Sequence, residues 1–239
     1  MRPVALVTGA SRRLGRAFAE GAARSGHDVA VHYRSDPAAA RDAVAALVAL
    51  GARTEAFPSD LRAPGAPGRL VEAVLRRFGR LDLLVHSASP WLEKPVEEVT
   101  EADWDDVFSV GPRAGFFLAR AAGPALCARE GAILLVSDVA ATKAWPRHVP
   151  HAVSKAAVAA LVRNLAVALA PGVRVNGIAP GIVLPPDDLP ASEVERLVSR
   201  TPLRRAVPVE DLVSAALLLS ANRSVTGQVL AVDAGRAVV

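Results

Sequence analysis

The stretch Thr8-Gly9-Ala10-Ser11-Arg12-Arg13-Leu14-Gly15 decides how this chain is read. It follows an apolar run, Val4-Ala5-Leu6-Val7, and opens a helix-period stretch over 13–25. Gly9 and Gly15 stand six residues apart, between a strand and a helix. Glycines there let the backbone turn tightly and approach a pyrophosphate. The free N–H groups and positive dipole of the helix start then favour the anion. A glycine pair can also serve a plain strand end. The strand–turn–helix setting is what makes this one a dinucleotide loop.

The pattern continues outward from that loop. Strand-like runs fall at 4–8, 28–33, 53–57, 81–86, 132–137, 174–179 and 229–232. Helix-period stretches lie between them at 13–25, 37–50, 67–78, 113–128, 151–170 and 209–220, with a shorter one near 191–200. Strands alternating with helices of ten or more residues form βαβ units with a parallel sheet. Right-handed crossovers then give an α/β, Rossmann-type doubly wound fold: a seven-stranded parallel sheet with helices on both faces. Residues 1–239 read as one such domain. Two Pro-containing stretches, 89–100 and 181–190, follow strands, so they are expected at the carboxyl edge of the sheet, where ligands bind.

Composition narrows the partners. Of 28 basic residues only three are lysine, and the net charge is +4. The arginines come in scattered pairs such as Arg12-Arg13, Arg76-Arg77 and Arg204-Arg205, with no dense basic tract. That favours a small anionic ligand over nucleic acid. The lone Cys127 excludes an internal disulfide and a Cys-rich metal site, and is expected to be a buried, inert thiol. No signal-peptide pattern or membrane-length apolar run is present, so a soluble, cytoplasmic protein is expected. No metal site is expected either.

Cofactor choice rests on the end of the second strand. An NAD-type site carries an acid there to grip the ribose hydroxyls. This chain reads His32-Tyr33-Arg34-Ser35, with no carboxylate before Asp36. Arg34, Ser35 and Arg13 can instead surround a 2′-phosphate, because the planar guanidinium pairs bidentately with phosphate. NADP(H) is the expected cofactor. Asp60-Leu61 either sits by the adenine, or Asp60 caps the next helix.

These features resemble the short-chain dehydrogenase/reductase family along essentially the whole chain. The Thr-Gly-x-x-x-x-x-Gly loop opens the match. Leu83-Leu84-Val85-His86-Ser87-Ala88-Ser89 stands where that family has its Asn-Asn-Ala-Gly strand end, which assigns Ser87, Ala88 and Ser89 to the cofactor. Lys155 lies in a Tyr-x-x-x-Lys-like position, near the nicotinamide ribose. The segment 174–181 matches the part that closes over the nicotinamide, which assigns Pro180, Gly181 and Ile182, and 225–233 matches the usual end. Within the family the chain looks most like the pteridine reductases. Arg13 replaces the middle glycine of the loop, His32-Tyr33-Arg34-Ser35 is similar to the subgroup's phosphate-binding stretch, Ser89 matches its Ala-Ser ending, and Asp138 stands in place of a serine. The resemblance implies NADPH-dependent reduction of a pterin or folate by a homotetramer packed through 113–128 and 151–170.

The catalytic positions depart from the family pattern. Its proton donor is a tyrosine four residues before the lysine, which puts both on one helix face. Position 151 is histidine here, and the only tyrosine is Tyr33. The family's helix asparagine is absent, since the segment reads Val110-Gly111-Pro112. Catalysis then falls to Asp138, His151 and Lys155. An Asp138–His151 pair, Asp138 alone or a substrate-bound water could deliver the proton. The other reading is an NADP(H)-binding protein without fast chemistry, since a lost general acid costs about 10²–10⁴-fold. A 3-oxoacyl-type ketone reductase lacks its expected serine and tyrosine. Trp91, Asp138 and His151 are the substrate-pocket candidates, although a core or lid role suits Trp91 equally. Lys143, Trp145 and His148 fall near the same pocket. Asp187 and Asp188 belong to a lid-like segment, either touching a pterin amine or starting the next helix.

Overall fold

The computed structural model describes residues 2–186 and 189–239. Asp187 and Asp188 lie outside the described residues. Seven parallel strands form one sheet: β1 (Val4–Thr8), β2 (Asp28–Tyr33), β3 (Thr54–Pro58), β4 (Leu83–His86), β5 (Ala132–Val136), β6 (Arg174–Pro180) and β7 (Val229–Val232). Their order is β3-β2-β1-β4-β5-β6-β7. This is the expected doubly wound sheet. Strands β1, β4 and β5 are buried throughout, which explains why they read as unbroken apolar runs instead of alternating ones.

Helices cover both faces. On one side α3 (Ala66–Phe78), α5 (Ala114–Cys127) and α6 (Val149–Ala168) close a core around Leu6, Leu84, Leu118 and Val162. On the other, α1 (Arg13–Arg24), α2 (Pro37–Ala49) and α8 (Val209–Ala221) close a second core around Val7, Phe18, Leu47 and Leu212. A short helix, α7 (Ala191–Ser199), follows the loop after β6. Strand order reverses between β1 and β4, so their carboxyl ends splay apart and leave a crevice.

One helix was not expected. Residues Glu101–Phe108 form α4, started by a capping box in which Thr100 accepts the Asp103 N–H while Asp103 reaches back to the Thr100 N–H. Between α4 and α5 the chain runs through a widened turn, Ser109–Arg113. Pro112 supplies no N–H there, so the ladder cannot continue with ordinary spacing. The helix predicted from 113 begins at Ala114, directly after this turn. Cys127 also differs from expectation, for it is exposed at the end of α5. Among the described residues no helix is long and apolar enough to cross a membrane.

Candidate active site

The crevice holds a cleft of about 1490 Å³, large enough for a dinucleotide beside a small substrate. Its phosphate end is built by the β1–α1 turn. Gly9 adopts φ +67, and a Cβ on it would lie 3.1 Å from the Ala88 Cα. A Cβ on Gly15 would stand 2.1 Å from the Gly9 carbonyl oxygen, so only glycine permits this turn. Arg12, Arg13 and Leu14 follow at the start of α1, with Ser11 buried beneath. Backbone donors at a helix start and two arginines suit a pyrophosphate, and the residues present fit a bound dinucleotide.

His32 and His86 anchor this floor. The His32 Nδ1 accepts the Gly9 N–H at 3.1 Å, and its Nε2 donates to the Ser59 carbonyl at 2.9 Å. His32 therefore braces the turn from beneath and has no ring nitrogen left for a phosphate, which corrects its expected role. His86 links β4 to Thr8 Oγ1 at 2.9 Å and to the Val110 and Gly111 carbonyls at 3.0 and 3.1 Å. Carbonyls only accept, so Nε2 carries the proton and Nδ1 accepts from Thr8. Thr8 Oγ1 in turn accepts the Ser87 and Ala88 N–H groups. Burial holds both imidazoles down at about 4.

Around the β2 and β3 ends of the cleft lie Tyr33, Arg34, Ser35, Asp60 and Leu61. Asp36 accepts the Ala39 N–H as the cap of α2, so the nearest carboxylate is already engaged. Arg34 and Ser35 are exposed at the strand end. Arg13 turns elsewhere: its guanidinium donates to the Leu184 carbonyl of the loop after β6, not toward Arg34. Asp60 is not the cap of α3, whose first flanking residue is Gly65. Its carboxylate grips Arg62 at 2.6 Å, which holds it down at about 2.

The opposite end carries Asp138, His151 and Lys155. Lys155 Nζ donates to the Val136 carbonyl at 3.0 Å, and the Ser137 hydroxyl donates to the Lys155 carbonyl at 2.9 Å. Burial pushes the Lys155 ammonium down, and Asp138 partly offsets this. Asp138 Oδ1 accepts the Ala140 N–H at 2.8 Å. Its Oδ2 stands 3.8 Å from His151 Nε2, beyond hydrogen-bond range but close for a charge pair. His151 is 3% exposed, and among the described residues neither of its ring nitrogens has a hydrogen-bond partner. Native structures rarely leave such atoms alone. Trp91 lies edge-on over His151, with centroids 4.8 Å apart, and over His148 at 4.9 Å. Trp145 completes the wall, 5.5 Å from His148. Ser87, Ala88, Ser89, Pro180, Gly181 and Ile182 line the cleft between the two ends.

A family model described as enoyl-(acyl carrier protein) reductase matches residues 9–237. The chain belongs to the short-chain dehydrogenase/reductase family. Among family members of known structure, it is similar to FolM alternative dihydrofolate reductase 1 of Brucella canis, solved complexed with NADP. The two share 33% identity and a TM-score of 0.93, covering 99% of this chain and 94% of that one. It is 41% identical over 180 residues to hydroxynaphthalene reductase-like protein Arp2 of Metarhizium robertsii, covering 74% of this chain and 67% of that protein. It is 34% identical to an L-rhamnose 1-dehydrogenase of a Sphingomonas strain, covering 96% and 94%.

Within this short-chain dehydrogenase/reductase chain, the cleft also contains residues that motif reading passed over. Glu93 and Arg147 pair at 3.0 Å across the two loops that carry Trp91 and His148. Arg236, just after β7, lines the same cleft. None of the three belongs to a sequence motif, so only the folded chain brings them in.

Proposed function

We propose that the chain is an NADPH-dependent reductase of a pterin or folate, working in the cytoplasm as a homotetramer. One observation carries the reading. A buried histidine with two unpartnered ring nitrogens faces a tryptophan-walled cleft, 3.8 Å from a carboxylate and one helical turn from Lys155. When bound, the dihydronicotinamide supplies the hydride. The chain's own residues supply position and proton. Lys155 stands at the nicotinamide end, and Trp91 offers a planar face to a planar ring. His151 holds the proton at Nε2 and passes it to the substrate atom that gains charge, while Asp138 steadies the cation before transfer. NADPH is favoured over NADH because Arg34 and Ser35, exposed at the β2 end, have no side-chain hydrogen bond among the described residues, while Asp36 is occupied. The structural similarity to a dihydrofolate reductase solved with NADP supports the substrate class.

The test is NADPH consumption with dihydrobiopterin and dihydrofolate between pH 5 and 8. Turnover of either substrate supports the reductase reading. Tight NADPH binding without turnover at any pH would favour the second reading, a cofactor-binding protein without fast chemistry, for which the missing tyrosine speaks. An R34A variant should lower the NADPH-over-NADH binding preference by roughly tenfold or more. Equal affinities in the unmodified protein would refute the NADP assignment.

A further inference from the structure

The turn after β7 presents a cation to the substrate end of the cleft. Asp233 fixes that turn by accepting the Gly235 N–H at 2.9 Å and the Ala237 N–H at 2.6 Å. It is pressed against the loop after β6, where a Cβ on Gly181 would lie 2.6 Å from the Asp233 Cα. Lys143 donates to the Arg236 and Val239 carbonyls and ties the same turn to the loop bearing Trp145. The backbone of Arg236 is thus held from three sides. Its guanidinium stacks on Trp145 with its carbon 4.8 Å from the ring centroid, in the cleft shared with Asp138 and His151. Among the described residues it makes no hydrogen bond and no ion pair within 4 Å, although the Asp138 and Asp233 carboxylates act on its charge.

Of the other arginines that line this cleft, Arg12, Arg34 and Arg200 make no side-chain hydrogen bond or ion pair among the described residues, and three are occupied. Arg196 pairs with Glu193, Arg147 with Glu93, and Arg13 bonds the Leu184 carbonyl. A rigidly placed guanidinium with open donors beside a tryptophan face suits a carboxylate carried by a planar substrate. The ring would lie against Trp91, whose plane stands 68° from that of Trp145, and the charge would meet the fork. We infer that Arg236 is a specificity-determining residue that selects substrates bearing a carboxylate. This deepens the pterin reading, and it favours folate-type substrates over neutral pterins.

Two binding series on the protein loaded with NADP⁺ test it by calorimetry or ligand-detected NMR. The first compares dihydrofolate with uncharged dihydrobiopterin, in the unmodified protein and in R236Q. The ratio of their affinities should fall about tenfold in R236Q and recover in part in R236K. An unchanged ratio overturns the inference. The second compares benzoate with benzamide, which share a ring and differ in charge. The unmodified protein should prefer benzoate, and R236Q should lose that preference. No preference for benzoate in the unmodified protein also overturns the inference. A benzoate preference that depends on Arg236, with neither pterin bound, would reject the pterin reading and leave the carboxylate role standing.

Discussion

His151 is buried where the family places a tyrosine, and among the described residues neither of its ring nitrogens has a hydrogen-bond partner. A buried imidazole in that state is costly unless a ligand completes it. H151Q should therefore lower kcat by roughly a hundredfold, the usual worth of a general acid, while NADPH affinity stays within about twofold. If kcat is unchanged, the proton comes from Asp138 or from water. The lysine was legible because a Lys four residues after the expected acid stands out in a chain with three lysines. Arg236 was not, because nothing in its neighbours announces a side chain that reaches Trp145 across more than ninety residues of chain.

At the scale of elements, the widened turn at Ser109–Arg113 lacks the asparagine that the family places there. Its carbonyls are held from the sheet instead. His86 Nε2 bonds Val110 and Gly111, and Thr8 bonds the other ring nitrogen and the backbone of Ser87 and Ala88. One neutral imidazole thus couples β1, β4, the turn and the cofactor edge. H86L would leave two carbonyls and a hydroxyl unpaired in a buried place. It should cost about 2–4 kcal/mol, read as a lower denaturant midpoint, and weaken NADPH binding through Ser87 and Ala88. A variant as stable as the parent would show that water replaces the ring. Helix α4 was present in the sequence as Thr100-Glu101-Ala102-Asp103, but Asp103 in place of the usual Glu or Gln, and the Gly-Pro pair downstream, hid it.

For the whole molecule, acid stability follows from the two anchoring histidines. Both are held at about 4 in the fold against 6.5 ordinarily, so the unfolded chain takes up protons first as pH falls. Unfolding free energy should be flat above about pH 6.5 and fall between there and about 4, on the order of a few kcal/mol for each ring. Calorimetric Tm between pH 7 and 4.5 checks this, and H86L should show a shallower fall. A Tm unchanged over that range would mean that both rings take up protons at the same pH in the folded and the unfolded chain. Assembly is the other whole-molecule matter. Phe116 on α5 and Val153 and Val167 on α6 are exposed at 40%, 43% and 80%. Apolar side chains at that exposure on neighbouring helices favour a partner surface. Solution scattering at micromolar concentration should give the mass of a tetramer, and a monomeric mass would refute that assembly.

Local order and chemistry were determined by the sequence itself. Unbroken apolar runs mark buried strands, glycines six apart permit only a tight phosphate turn, and the absence of a tyrosine near Lys155 follows from composition. Tertiary structure alone decided which side chains meet. It turned Arg13 to the Leu184 carbonyl, committed His32 and His86 to backbone partners, and left His151 bare beside Asp138. The physical reason is that periodicity reports the face a residue occupies, whereas hydrogen-bond pairing and burial depend on contacts between segments far apart in the chain.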